Sequence, residues 1–170
     1  MVLYSGQLAA SIQTICSALG QRPSPESFEP VTWMLYEMGR AFRAADCLIA
    51  ITNLQRLARM VASLFVTYNV TLTPTLSRPP LPLNTLMPVG EDPKKSWARV
   101  ASYAAFTPLE NITGQPAMSV PLFWNAEGLP VGAHFSASFG DEATLFRLAS
   151  QLEKARPWAA RRPPVSRSHP

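Results

Sequence analysis

The sequence predicts an α/β protein, a sheet with helices packed against it. Three observations carry that reading. Residues 43 to 68 place large aliphatic side chains every three or four positions, the spacing of one helix face. Short runs at Val70–Thr73, Ala117–Val120 and Val131–Ser136 alternate or cluster β-formers between turn residues, as strands do. Residues 141 to 156 form a closing helix with a start signal and a stop signal. The chain has 170 residues, 47% of them hydrophobic and 15% charged. A chain of that size buries about 70% of its unfolded surface, so folding needs neither metal nor disulfide.

Taken in order, Leu8, Ile12, Ile15 and Leu19 recur at helical spacing, and Gly20 follows as a C-terminal cap. This predicts a helix over residues 6 to 19. Gln21 to Ser27 read as a linker, and Pro30 opens a short helix ending near Gly39. The next helix, residues 43 to 68, carries Leu48, Ile51, Leu54, Leu57, Ala58, Val61, Leu64 and Phe65 on one side, with Arg56 and Arg59 on the other. Its apolar side is expected to form the centre of the core, with Ile51 and Leu57 buried. A strand then stops at Pro74. The connection from Pro74 to Pro93 is irregular, because each proline removes a backbone donor. Residues 97 to 106 give a mixed signal, and Asn111 to Pro116 read as a loop. Asn125–Gly128 supplies turn chemistry between the last two strands, which predicts an antiparallel hairpin. In the closing helix Asp141 is the N-cap, Leu145, Leu148 and Leu152 form the stripe, and Lys154 and Arg156 suit the negative end of the dipole before Pro157 stops it.

Charge and composition exclude several classes. The chain has 17 prolines, about twice the usual share of roughly 5%, but they fall in three clusters and act as punctuation. The net charge is +4, with Arg156, Arg161, Arg162 and Arg167 crowded at the end. Such a cluster attracts nucleic acid or anionic membranes. With only Trp158 among them there is no stacking platform, and the reading is a solvated tail that caps a helix and then frays. Cys16 and Cys47 lack metal or redox spacing and read as buried free thiols, suited to a reducing compartment. Val2 to Gly6 is no signal peptide, and Arg43, Asp46, Arg56 and Arg59 interrupt the longest apolar stretch. The expectation is a soluble, cytoplasmic protein that binds neither nucleic acid nor membrane.

A hydrolase needs a nucleophile, a base and donors for the oxyanion. His134 lies in a strand and His169 in the tail, so no histidine pair builds a metal site, and G-x-S-x-G is absent. His134 reads as a hydrogen-bonded structural residue. Lys94 and Lys95 lie in a polar segment and Lys154 at a helix end, where nothing depresses a lysine pKa. No glycine-rich serine or phosphate loop occurs. The residues alone supply no catalytic set, no metal site and no cofactor site.

The run Thr107-Pro-Leu-Glu-Asn-Ile-Thr-Gly-Gln-Pro-Ala-Met-Ser-Val-Pro121, with Gly128-Leu-Pro-Val-Gly132 and Gly140-Asp-Glu-Ala-Thr-Leu145 after it, resembles the C-terminal signature region of amidase-signature enzymes. Tyr68-Asn-Val-Thr-Leu-Thr-Pro-Thr-Leu76 with Pro79-Pro80 is similar to that family's upstream strand-and-proline segment, with Asn69 where the family commonly has aspartate. Ala155-Arg-Pro-Trp158 and Arg161-Arg-Pro-Pro164 resemble the 6-aminohexanoate-cyclic-dimer hydrolase type.

The resemblance implies the C-terminal part of the amidase-signature fold, a mixed sheet with flanking helices, spanning residues 1 to 170 as one portion of a single domain. It implies hydrolysis of carbon–nitrogen amide bonds by a Ser-Ser-Lys triad lying upstream of these residues. The chain alone is therefore expected to be inactive and to associate through unpaired strand edges. Its partner is expected to be an upstream amidase half or a second copy, with a small amide as substrate once the site is complete. Asn111, Thr113, Gly114 and Gln115 are the candidate substrate-pocket residues, set against a plain loop-building role for the same segment. A non-catalytic module derived from this fold and an amidotransferase A subunit are the alternative readings.

Overall fold

The structure is a computed structural model and describes residues 1–162. Arg167, His169, Pro163, Pro164 and Pro170 of the tail lie outside the described residues. The chain divides into two compact units, one of Met1–Met60 with Leu81–Tyr103, the other of Val61–Pro80 with the chain from Ala104 onward.

The first unit is helical. Helix α1 (Val2–Ala18) ends as expected at Gly20, whose φ of 64° lets Gln21 N–H return to the Cys16 carbonyl at 2.9 Å. The linker after it holds a single 3-10 turn at Pro25–Ser27. Helix α2 (Pro30–Ala41) starts on its proline but runs two residues past Gly39. Gly39 does not stop the helix. It is where α2 meets α1, since a Cβ there would run into the Ser5 carbonyl and approach Ala9 Cβ to 2.9 Å. Ala9, Ile12, Cys16 and Tyr36 are buried together, with Leu8, Phe28 and Trp33 packed on them. The thiol of Cys16 is thus in the core, whereas Cys47 is only half-buried.

Helix α3 (Ala44–Leu64) is shorter than the sequence suggests. Asp46 accepts the Arg43 N–H at 2.9 Å at its start, and β-branched Val66 and Thr67 follow its end. The expectation that α3 is the centre of the core is wrong. Val61 alone along it is buried, Leu57 is half-buried and Ile51 is exposed. The face was read only in part: Leu54, Leu57, Ala58, Val61 and Phe65 are covered or half-covered and Arg56 and Arg59 are exposed, but Leu48, Ile51 and Leu64 of the same expected side are exposed too. Periodicity reports which side is apolar, but not whether anything covers it. Residues assigned a mixed signal form helix α4 (Pro93–Tyr103), with Asp92 Oδ1 accepting Lys94 N–H at 3.0 Å. Trp97 of α4 stacks on Tyr4 of α1 at 5.4 Å between ring centroids.

The second unit is a three-stranded antiparallel sheet in the order β1-β3-β2, with β1 (Val70–Pro74), β2 (Ala117–Trp124) and β3 (Pro130–Ala137). The family resemblance implies a mixed sheet, and the strands within the described residues are all antiparallel, including the hairpin expected from the residues. Helix α6 (Glu142–Ala155) follows, capped by Asp141, whose carboxylate accepts Thr144 N–H at 3.3 Å and Thr144 O–H at 2.6 Å. Val120, Leu122, Ala133, Phe135, Ala137 and Leu145 form this core, with Leu148, Leu152 and Trp158 against it. The hairpin turn is closed by Asn125, whose side chain accepts the N–H groups of Glu127 and Leu129 at 3.1 and 2.8 Å. Pro121 is tolerated because β2 is an edge strand, and a bulge follows it.

The basic tail does not fray at once. Arg156 lies 4.8 Å over the Phe123 ring and Arg161 lies 4.1 Å over the Trp124 ring. Two of the four arginines therefore cover aromatic faces on β2.

Candidate functional site

Strand β3 is central, so both its edges are paired, and residues Ala133 to Ala137 are buried on both faces. Its odd-numbered residues Ala133, Phe135 and Ala137 enter the apolar core, and its even-numbered residues His134 and Ser136 are buried on the opposite face. That second face is polar by design of register. Thr71, Thr73 and Thr75 alternate along the chain from β1, and the pairing sets Thr71 opposite Ser136 and Thr73 opposite His134. Their side chains close into a ladder. Thr71 Oγ1 and Ser136 Oγ are 2.6 Å apart, Thr73 Oγ1 and His134 Nδ1 3.1 Å, and Thr75 Oγ1 and Ser119 Oγ 2.6 Å. Burial without partners would cost His134 and Ser136 about 1–3 kcal/mol each, and the ladder removes that cost, whereas the Thr75–Ser119 rung is exposed. His134 is the hydrogen-bonded structural histidine that its place in a strand predicts.

The last rung of the ladder meets a groove. It has a volume of about 500 Å³ and is walled by Pro74 through Pro80, with Phe106, Ser119, Pro121, Pro130, Val131 and Gly132 completing it. Gly132 is required at its floor. A Cβ there would collide with Thr75 Oγ1 and come within 2.7 Å of Ser119 Oγ. The Thr75–Ser119 pair holds two hydroxyl hydrogens and uses one internally, so the other can be donated to an acceptor. The walls are otherwise mainly proline and aliphatic carbon, with Ser77 and Arg78 adding polar atoms.

The sequence-predicted residues sit elsewhere in this unit. They belong to helix α5 (Pro108–Thr113) and its cap, where the sequence suggests a loop. The correction has a local cause. Pro108 suits the first helical position, and Gly114 at φ 77° closes the turn by returning its N–H to the Glu110 carbonyl at 2.8 Å. Asn111 is exposed, whereas Gln115 is buried, and Thr113 donates to the Leu109 carbonyl at 2.9 Å and to Gln115 Oε1 at 3.0 Å. Gly114 lies against Phe139, 3.4 Å from where a Cβ would be. None of the four lines the groove. The proline-rich connection supplies most of it, and no catalytic signal in Thr75 or Ser119 marked them beforehand.

No lysine lines the groove either. Lys94 and Lys95 are exposed in the first turn of α4, and Lys154 is exposed near the end of α6. The groove can hold and orient an apolar group and offers hydrogen-bond donors from the Thr75–Ser119 pair, Ser77 and Arg78. It has no base to activate a hydroxyl.

Comparison with known proteins gives this arrangement a context. Residues 3–146 match the family model described as Amidase. The chain is 39% identical over 163 residues to AmiC of Mycobacterium tuberculosis, a protein assigned as an amidase, covering 93% of this chain and 33% of that protein. Against the 6-aminohexanoate-cyclic-dimer hydrolase of Paenarthrobacter ureafaciens it is 48% identical over 59 residues, 35% of this chain and 12% of that protein. A solved structure of 6-aminohexanoate cyclic dimer hydrolase aligns with a TM-score of 0.85 at 26% identity, covering 94% of this chain and 34% of that one. The chain spans about a third of the length of the relatives that it matches along most of its own. Among the described residues no helix is long and apolar enough to cross a membrane. The α/β architecture, the match over residues 3–146 and the fold likeness agree, and the chain belongs to the amidase-signature family.

Proposed function

We propose that these residues form the C-terminal, non-triad portion of an amide hydrolase. The observation that carries this reading is the 39% identity sustained along 93% of the chain while only 33% of AmiC is matched. In this reading the attacking serine, the relaying serine and the lysine base come from outside these residues. One serine attacks the amide carbonyl while its proton passes through the second serine to the lysine, that proton goes to the amine as the C–N bond breaks, and water then hydrolyses the acyl-serine ester to release the acid. The described residues contribute binding and no base. The groove at Thr75, Ser119 and Gly132 receives the apolar part of the amide, and the spare hydroxyl hydrogen orients its acceptor. Asn111, Thr113, Gly114 and Gln115, which do not line this groove, meet the substrate once the pocket is completed by residues outside these.

The test compares two proteins. One is the purified chain. The other is AmiC with its matching third replaced by these residues. Both are assayed with short aliphatic and aromatic amides and with the cyclic dimer of 6-aminohexanoate. Turnover by the chimera and none by the chain alone is expected. Hydrolysis by the chain alone that survives Lys94→Ala and Lys95→Ala would place catalysis somewhere this reading does not allow.

A further inference from the structure

The groove at the end of the threonine ladder carries one positive charge and no negative one. Arg78 is among its lining residues, and no aspartate or glutamate is. Among the described residues Arg78 forms no ion pair, and it is exposed. The backbone around the groove is poor in donors. Pro74, Pro79, Pro80, Pro121 and Pro130 have no N–H, and the Thr75 N–H is bonded to the Gly132 carbonyl at 3.1 Å. Polar recognition therefore falls mainly to side chains. The Thr75–Ser119 hydroxyl pair provides it at the floor, and Arg78 provides it three residues along the wall. Three residues of chain span at most about 11 Å, so one short molecule reaches both. Pro79 disfavours helical backbone at Arg78, which narrows where the wall can put the guanidinium. Leu76, Phe106 and Val131 add hydrocarbon to the lining.

We propose that the groove selects amides whose apolar arm ends in a carboxylate. The carboxylate sits on Arg78, and the amide's own acceptor faces the Thr75–Ser119 pair. This rests on the functional reading above and adds the substrate's charge to it. A guanidinium offers paired N–H donors in a fork that a carboxylate matches with two parallel bonds. A neutral ester of the same length accepts hydrogen bonds without bringing a charge, and an ammonium in its place is repelled. The apolar walls raise the weight of that difference, since they keep water from one side of the pair. Arg78 is thus a specificity residue. It breaks no bond and moves no proton, because a guanidinium is not deprotonated in proteins.

The experiment uses two charge series of matched length. One is the monoamide of hexanedioic acid, its methyl ester and 6-aminohexanamide. The other is N-acetyl-6-aminohexanoate with its methyl ester, which puts the charge on the amine side of the bond. The AmiC chimera is assayed at low and high salt, unchanged and as Arg78→Gln and Arg78→Lys. In at least one series kcat/KM is expected to favour the carboxylate over its ester by about three- to tenfold, the span from an exposed pair to a forked one. The ratio should fall toward one in Arg78→Gln, persist in part in Arg78→Lys, and shrink with salt. A ratio near one in both series, or a preference for the ammonium, overturns the proposal. So does a preference that survives Arg78→Gln, or a loss of kcat shared equally by all substrates, which would put Arg78 on the amide carbonyl or in the wall alone. In parallel the free chain is titrated with hexanoate and hexanamide, read by NMR shifts of the Thr75, Ser119 and Gly132 amides. Tighter binding of hexanoate that weakens in Arg78→Gln is expected, and equal binding of the two overturns the proposal. If the chain discriminates so and the chimera hydrolyses nothing, the functional reading fails alone. If the chimera hydrolyses without regard to charge, the carboxylate site fails alone.

Discussion

Glu91 and Arg99 meet in a two-pronged ion pair, Nη2 to Oε1 at 2.7 Å and Nη1 to Oε2 at 2.8 Å. The same guanidinium donates to the Thr85 and Leu86 carbonyls at 3.1 and 3.0 Å, and Ser96 O–H donates to Glu91 at 2.7 Å. One arginine on α4 therefore ties residues 85–86 and Glu91, in the second half of the proline-rich connection, to one point. Fork geometry is what makes such a pair directional, and a lysine in its place would lose it.

The pair makes this segment pH-dependent. Hydrogen bonds from Arg99 and then Ser96 hold the Glu91 carboxyl down to about 2 from its ordinary 4.5. A carboxyl whose folded pKa is lowered contributes stability above its unfolded pKa and loses it as pH falls through the folded value. Protection of residues 81–92 from proteolysis or exchange should hold above about pH 4.5 and decline between there and about pH 2. In Glu91→Gln the same segment should be less protected at neutral pH and flat across that window. Equal profiles for the two proteins would show that the loop is held by something else.

Gly39 provides a sharper test of packing. A methyl group there meets the Ser5 carbonyl, which is backbone and cannot swing aside. Gly39→Ala should separate α1 from α2 and destabilise the chain by about 1–3 kcal/mol or more. Gly6 in α1 has nothing within 4 Å of its would-be Cβ, so Gly6→Ala should stabilise by up to about 1 kcal/mol through helix propensity alone. Denaturant unfolding of the two variants decides the matter, and a neutral Gly39→Ala would mean that the helices part easily.

These contrasts show which features the sequence exposes. Asp141 with Thr144, Asn125 with Gly128, and Gly20 after α1 are local signals whose partners lie within a few residues, and all form as expected. Helices α4 and α5 were missed although Asp92-Pro93 and Thr107-Pro108 are start signals, because the surrounding prolines and polar residues obscured the short apolar stripes. The threonine ladder is a different case. Thr71, Thr73 and Thr75 alternate visibly, but their partners Ser136, His134 and Ser119 are fixed only by strand register across 44 to 65 residues. The groove follows from that register, so sequence reasoning reached its proline wall and not its floor. Burial of α3 depends on what lies beside it, which periodicity does not report.

Truncations rank the two candidate cores. Leu145 is 5% exposed within the sheet cluster, whereas Ile51 is 41% exposed. Leu145→Ala should cost about 2–5 kcal/mol and Ile51→Ala clearly less, since a half-solvated side chain has less transfer energy to lose and leaves no closed cavity. Arg56→Ala and Arg59→Ala should stay within about 0.5 kcal/mol, as exposed substitutions usually do. Chemical denaturation of the four variants gives the order. An Ile51 effect as large as that of Leu145 would return α3 to the centre of the core.

Gly132 couples the groove to the ladder, and a double-mutant cycle can read that coupling. Gly132→Ala would thrust a methyl group into the space where Thr75 Oγ1 and Ser119 Oγ bond to each other. The hydroxyls must separate or the strands must shift, and either should cost about 1–3 kcal/mol. Thr75→Ala removes the nearer oxygen and leaves Ser119 able to turn toward solvent, so alone it should cost only about 0.5–1.5 kcal/mol. In the double variant the main clash is gone. Its destabilisation should therefore fall short of the sum of the two singles by about 0.5–3 kcal/mol, the range for groups in direct contact. The same cycle run on ligand affinity in the AmiC chimera should lose binding with Gly132→Ala, because the methyl also rises from the groove floor. Additive stabilities would mean that the alanine is accommodated by backbone movement along β3, and the hydroxyl pair would then have no part in shaping the groove.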